Sequence, residues 1–344
     1  MVEGDGCHRV AADHRKSLVG RKFGAKSPNG KFKAGAQAIA RVGGVLMKIE
    51  VHGKNMFYFF GSKGKAPGLV VHIHFGMAGA FAVYKGEEPE TTGNTRLRLE
   101  TADAGPRLTA HLSAMTVVAG TPEKLYAPLA SRLGPDPLRE DADVERIVAS
   151  CAAAKKPIGV LLMDQSFSAG VGNIYRTETL YEAGIHPNQL ANTLTRQEIL
   201  KLWNVVVKQM QAGFKTGSIW GSKSGASCYG RTKSDCGGKI KSWSLCSRTV
   251  YACNKRQQLQ TPKPIASTGS KAALPRTGTA HLGEMTSAAT AEERKRKTGE
   301  GLAVQHVALK DDATRAAALA TKKRPAAVPK PSAATDLKRR RKAL

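Results

Sequence analysis

The feature that most constrains this chain is a change of hydrophobic period at RLGPDPL, residues 132–138. Before it, over 27–118, apolar residues run in the Gly-punctuated stretches VLMKIEVHGKNMFYFF, LVVHIHFGMAGAFAVY and NTRLRLE. Each divides into short pieces of alternating or wholly apolar character between turn signals, which predicts a β-sandwich or barrel. After the seam the apolar spacing becomes helical, and helices are expected over 143–154, 158–165, 173–183 and 195–212. Thr195 and Glu198 have the spacing of a capping box. A further helix is expected ahead of the sheet, over 5–18, with Asp5 or Gly6 as cap and Cys7, Val10, Ala11 and His14 on one face. Short β-like pieces return around glycines over 213–257. The fold class is therefore α+β.

Beyond residue 260 the text changes again, to Ala, Thr, Pro, Lys and Arg with almost no aromatics. Such a segment cannot repay its ordering entropy, and a disordered basic tail is expected over 261–344. Its basic clusters at 294–297, 322–324 and 338–342 suit a nuclear import signal or a nonspecific DNA tether. The whole chain of 344 residues carries a formal charge of +27, which points to a polyanionic partner. A membrane is the weaker choice, because no stretch reaches the roughly 18 consecutive apolar residues of a span. The start, MVEGDGCHRV, has charges where a signal peptide's apolar stretch would lie. Six cysteines scattered through a chain of this length are expected to be reduced thiols in an intracellular protein.

The most informative stretch is LLMDQSFSAGVGNIYRTETLYEAGIHP, 161–187. Two apolar-faced helices are joined by a loop containing Gly170 and Gly172, and the second opens at Asn173. Glycines let backbone amides approach a ligand, and a helix N-terminus presents unpaired N–H donors with about half a positive charge, so the loop suits a phosphate. The same spacing also suits a tight helix–helix turn with no ligand.

DQSFSAGVGNIYRTETLYEAGIHP resembles the helix-two-turns-helix signature of the formamidopyrimidine-DNA glycosylase and endonuclease VIII (Fpg/Nei) family, whose loop grips phosphates beside a damaged nucleotide. MVEGDG resembles that family's N-terminus, HGKNMFYFF its Gly-Lys hairpin, HFGMAG its Gly-Met segment, RLGPDPL its domain boundary, and YGR followed by CGG its C-terminal finger. The pieces occur in family order over roughly 1–257, and Val in place of the usual Pro, followed by EG, leans toward the endonuclease VIII-like branch. The implied organisation is an N-terminal helix plus β-sandwich catalytic domain over 1–133, a helix-two-turns-helix DNA-binding domain over 134–218, a β-hairpin finger over 219–260 and the tail.

The resemblance implies a bifunctional DNA glycosylase and AP lyase removing oxidised bases in base-excision repair. Met1 would be removed and the Val2 amine would be the nucleophile. A free α-amine has a pKa of about 8 against about 10.4 for Lys, so near neutrality roughly a tenth of it is unprotonated. Glu3 would act as general acid or proton shuttle if burial raises its pKa. Lys54 would reach a phosphate or donate a proton in the elimination step. Met77 would fill the gap left by the flipped base. Gly172, Asn173 and Arg248 would contact the phosphates at the lesion. His72 and His74, on one strand face, are read as structural rather than as metal ligands.

Two departures stand against the family pattern. RLTAHLSAMTVV, 107–118, lacks the Arg and Phe that help plug the duplex in many relatives. In the finger, Cys236 and Cys253 match ligand positions of zinc-bearing relatives, but Lys233 and Arg256 stand where the other two cysteines would be. Cys228 and Cys246 fit no zinc spacing, so no cofactor is expected, and a zincless finger would rest on hairpin pairing and Trp243. The expected partner is damaged DNA, single- or double-stranded, bound by a monomer in the nucleus, with the tail offered to an import receptor. The rival reading is a noncatalytic nucleic-acid-binding protein on the same scaffold; Val2, Glu3 and Lys54 argue against it, because a pure binder needs no processed amine.

Overall fold

Helix α1 (Gly4–Ser17) buries Cys7, Ala11 and His14, as its apolar spacing requires, but its cap is neither Asp5 nor Gly6. Those residues already lie in the first turn, and Glu3, extended at φ −113° and ψ −177°, precedes it. The chain is seen in a computed structural model that describes residues 2–218 and 225–260. The basic tail and its clusters lie outside these residues.

Strand β1 (Phe23–Lys26) and helix α2 (Lys33–Arg41) follow, and then strands β2 (Val45–His52), β3 (Asn55–Gly61), β4 (Leu69–His74) and β5 (Ala80–Lys85). Strands β6 (Leu97–Thr101), β7 (Leu108–Ser113) and β8 (Thr116–Gly120) complete two four-stranded sheets, ordered β2-β3-β4-β8 and β1-β6-β7-β5. Every neighbouring pair in them is antiparallel. Leu46, Ile49, Met56, Tyr58 and Ile73 of the first sheet share one core with Leu97, Leu99, Ala110 and Leu112 of the second, closing a sandwich. Strand β3 is buried on both faces, which is why NMFYFF shows no alternation. Its Phe57 and Phe59 pack under Leu125, Tyr126 and Leu129, carried by a π turn (Pro122–Tyr126) and helix α3 (Ala127–Ala130).

Past the seam come α4 (Val144–Ala153), α5 (Ile158–Leu161), α6 (Asn173–Ala183) and α7 (Arg196–Thr216) around a second core that includes Leu162, Tyr175, Leu180, Trp203 and Met210. Helix α5 stops short of the expected 165. Asp164 accepts bonds from the Ser166 N–H at 2.9 Å and hydroxyl at 2.6 Å, a local turn that competes with helix. Helix α7 opens with the expected capping box between Thr195 and Glu198. Strands β9 (Ile240–Leu245) and β10 (Arg248–Cys253) form an antiparallel hairpin. Its tip residues Cys246 and Ser247 have φ of 51° and 57°, as a two-residue turn with positive φ at both positions requires. The described residues fall within one compact unit, Met1–Ser267. Among them no helix is long and apolar enough to cross a membrane.

Candidate active site

Three segments distant in sequence converge on Glu3. Its side chain leaves its own helix uncapped and reaches the N-terminus of α6, accepting hydrogen bonds from Gly172 N–H at 2.7 Å and Ile174 N–H at 3.0 Å. The carboxylate is 1% exposed. Gly172 leaves room for it: a Cβ there would stand 2.5 Å from Glu3 Cδ. The Gly4 N–H donates to Gly170 O at 3.0 Å, tying the start of α1 to the same loop.

The β2–β3 turn supplies the second contribution. Gly53 takes φ +60°, and a Cβ on it would meet Gly170 N at 2.3 Å, so hairpin and loop touch through glycines. Lys54, next in the turn, donates from Nζ to Val171 O at 2.9 Å. Asp136, buried within RLGPDPL, fixes this hairpin. Its Oδ2 accepts from Gly53 N–H at 2.6 Å and lies 2.7 Å from His8 Nε2, while Oδ1 accepts from Leu138 N–H at 2.9 Å. Gln165 holds the loop from inside, accepting from Gly170 N–H at 3.0 Å and donating to Val171 O at 2.9 Å.

The electrostatics follow from this enclosure. Burial pushes the Glu3 carboxyl above its ordinary value, opposed by the Lys54 charge and the two α6 N–H donors. Burial pushes Lys54 below its ordinary value, opposed by Glu3, while the Arg248 charge lowers it further. Each group is moved toward its neutral form. Val2 lines an adjoining open cavity of ≈ 420 Å³ with Glu3, Asp5, Arg9, Phe75 and Phe81. Its side chain lies over the first turn of α1, 3.5 Å from where a Gly6 Cβ would be.

The other candidates surround this corner. Met77, on the β4–β5 connection, is 63% exposed. On the β7–β8 turn Met115 is 61% exposed; it packs on Gly76, where a Cβ would stand 2.8 Å from its own, and its N–H donates to Phe75 O at 3.3 Å. Gly172 has its N–H committed to Glu3. Asn173 is buried and donates from Nδ2 to Thr249 O at 2.9 Å, linking α6 to the strand that begins with exposed Arg248. His72 bonds Asn55 Oδ1 at 2.9 Å and His74 accepts from Gly76 N–H at 3.2 Å, both local structural contacts.

The finger residues do not fit tetrahedral zinc. Among the described residues no group of three or more His, Cys, Asp and Glu is placed to hold a metal ion. Cys236 and Cys253 are together, but at the third expected position the Arg256 guanidinium donates from Nε to Tyr181 O and from Nη2 to Glu182 O, each at 2.8 Å. A cation at the carboxyl end of α6 is favoured by the helix dipole and clamps the finger there. Trp243 stacks on His186 at 5.4 Å and donates to Asn188 Oδ1 at 3.2 Å.

Sequence reasoning missed Asp136, Gln165, Met115 and the Arg256 clamp. Asp136 and Met115 lie inside motifs already quoted, but nothing local in them marks a partner 83 residues away or a side chain turned outward.

The helix-two-turns-helix domain model of formamidopyrimidine-DNA glycosylase matches residues 133–224. Endonuclease 8 1 of Mycobacterium tuberculosis is 34% identical over 64% of this chain and 79% of that protein. Endonuclease 8 of an Enterobacter species is 29% identical over 62% of this chain and 83% of that protein. Lactococcus lactis Fpg, solved in complex with DNA containing an abasic site, shares the fold with a TM-score of 0.63 at 23% identity, covering 74% of this chain and 99% of that one. The chain therefore belongs to the formamidopyrimidine-DNA glycosylase and endonuclease VIII family of DNA-repair glycosylases, on its endonuclease VIII-like side.

Proposed function

We propose that the protein excises oxidised bases from DNA and cleaves the strand at the abasic site it creates, with the Val2 α-amine, freed by loss of Met1, as nucleophile. The observation that carries this reading is the environment of Glu3: a carboxyl 1% exposed, pushed toward protonation by burial, beside Val2 and the charge of Lys54. The amine attacks C1′ of a flipped nucleotide while protonated Glu3 gives its proton to the departing base or to the ring oxygen. The resulting carboxylate is held by the Gly172 and Ile174 N–H groups and by the charge of Lys54. Loss of a C2′ proton from the imine then expels the 3′ phosphate in β-elimination, and δ-elimination is a further step open to the same imine. Lys54, depressed by burial, holds its proton weakly enough to pass it on in that elimination.

Arg248 is assigned to the lesion phosphates and Met77 to the gap in the stack. Met115, packed on Gly76, adds a second exposed apolar side chain, but neither supplies the cation that would hold the orphaned base. Excision from single strands is therefore expected to equal or exceed that from duplex, where flipping costs a few kcal/mol. Single-turnover rates on the same oxidised pyrimidine in both contexts test this, and Met77→Ala or Met115→Ala should slow only the duplex reaction, by roughly tenfold. A strong duplex preference would contradict it, and binding without base release in either context would support the noncatalytic rival. The tail's basic clusters are assigned to nuclear import; a fluorescent fusion lacking 261–344 that still enters nuclei would remove that assignment.

A further inference from the structure

The finger offers no zinc set, yet two of its sulfurs remain together. Cys236 Sγ and Cys253 Sγ are 3.5 Å apart, and Ser234 Oγ lies 3.2 Å from each. Both cysteines are free thiols. Cys236 is half-buried, so a small oxidant reaches its sulfur, and Cys253, 0% exposed, lies behind it as the second thiol. We propose that Cys236 and Cys253 are an oxidisable dithiol, a modification site at which a hydroperoxide closes a disulfide across the base of the finger.

The step balances with the peroxide as oxidant. The Cys236 thiolate attacks a peroxide oxygen and becomes a sulfenic acid, and the leaving oxygen takes up a proton and departs as water or an alcohol. The Cys253 thiol then attacks that sulfur, forming the S–S bond and releasing water. The two thiols together lose two electrons, and the peroxide is reduced by two. Side-chain rotation from 3.5 Å to the roughly 2.05 Å of a disulfide gives up the Ser234 bonds, and the loop already lies against Cys253, since a Cβ on Gly238 would stand 2.3 Å from its Sγ.

Position selects this pair over the other thiols. Cys7, Cys151, Cys228 and Cys253 are all buried, and burial pushes the first three up to about 12, 11 and 12, so the 3.5 Å approach to Cys236 and not exposure marks Cys253 out. Cys246 is exposed, but at the opposite end of the hairpin. Hydrogen bonds from Ser234, Gly238 and Tyr181 hold the Cys236 thiol down at about 6, which favours it as the first group oxidised. The disulfide would fasten the loop before β9 to the end of β10, the two segments that zinc-bearing relatives join through a metal. This inference does not depend on the glycosylase chemistry.

The full-length protein, treated with a small molar excess of hydrogen peroxide, alkylated and digested without reductant, is to be mapped by mass spectrometry. The expected product is one linked peptide pair joining Cys236 to Cys253, two hydrogens lighter than the reduced pair, reversed by dithiothreitol, with Cys246 still alkylated. In Cys253→Ser the link should vanish and Cys236 should appear as its sulfenic acid. Three results would overturn the proposal: two alkylatable thiols after peroxide, Cys236 oxidised to sulfinic acid with Cys253 still free, or stoichiometric zinc in the purified protein that Cys236→Ser removes. The wild-type digest decides the first two and metal analysis of the wild-type protein bears on the third, so the proposal remains testable if a variant fails to fold.

Discussion

The corner around Glu3 and the finger carrying Arg248, the two regions proposed to meet DNA, are built in opposite ways. The corner is buried and assembled from residues 3, 53–54, 136 and 165–174, whose contacts run mainly between backbone amides and buried side chains. The finger is a local hairpin with a solvated tip, held by Arg256 past the end of β10, by Trp243 along β9 and by Asn173 near the start of β10. Burial moves the Glu3 carboxyl toward its protonated form, the form that can act as an acid. The same burial leaves no slack for substitution. Exposure leaves the finger's charge in solvent, where a contact with DNA phosphates would be screened by salt.

The largest expected effect belongs to the corner. Glu3→Gln keeps the shape and can still accept a backbone hydrogen bond, but has no proton to transfer, so base removal should fall by about 10²–10⁴-fold while DNA binding persists. The pH dependence should change with it. Because the folded pKa of Glu3 is raised, base removal declines as pH rises through that raised value, while protonation of the Val2 amine limits it toward acid pH. Stability follows the same sign: the folded state binds the proton more tightly than the unfolded chain, so the Glu3 contribution is most favourable below 4.5 and is lost as pH rises through the folded pKa. Both Glu3 dependences should disappear in Glu3→Gln, as read by rate and by thermal denaturation across pH.

Gly172→Ala should come next, lowering stability by about 3 kcal/mol, because the added methyl displaces a buried carboxylate from its donors. In a Glu3→Ala background the methyl has space, so the two costs should not add. Additive costs in a double-mutant cycle would mean that Gly172 matters for its backbone alone.

Arg248→Ala should have the smallest effect on the protein and a moderate one on binding. Stability should change by no more than about 0.5 kcal/mol, while the slope of log affinity against log salt becomes shallower by about 1. An unchanged salt slope would show that Arg248 touches no phosphate and would remove the contrast between the two regions.

The same contrast explains what could be read from the sequence. Helix α7 is legible because its capping box lies within four residues, and the hairpin fingers are legible because turn and strands are contiguous. The helix-two-turns-helix was legible as a motif, but its partner was not. Gly172 reads as a phosphate donor from its place at a helix start, and only the fold brings Glu3, 169 residues away, onto that N–H. The short α5 was missed because an Asp-Ser turn outcompeted apolar periodicity. The duplex plug was sought as an Arg-Phe pair, and the side chain that the β7–β8 turn exposes is Met115, which without the turn geometry reads as core. Arg256 reads as a lost ligand in a metal pattern, and its bonds to the end of α6 give the substitution a structural role.

The central claim is that the nucleophile is the Val2 amine and that Lys54 is a proton and phosphate group beside it. Borohydride reduction of the protein on abasic DNA, followed by proteolysis and mass mapping of the cross-linked peptide, tests it most directly. The account predicts a reduced adduct on the α-nitrogen of Val2, with no Met1 before it, persisting in Lys54→Ala and absent when the α-amine is blocked. An adduct on Lys54, or one of undiminished yield on protein that retains Met1, would contradict it.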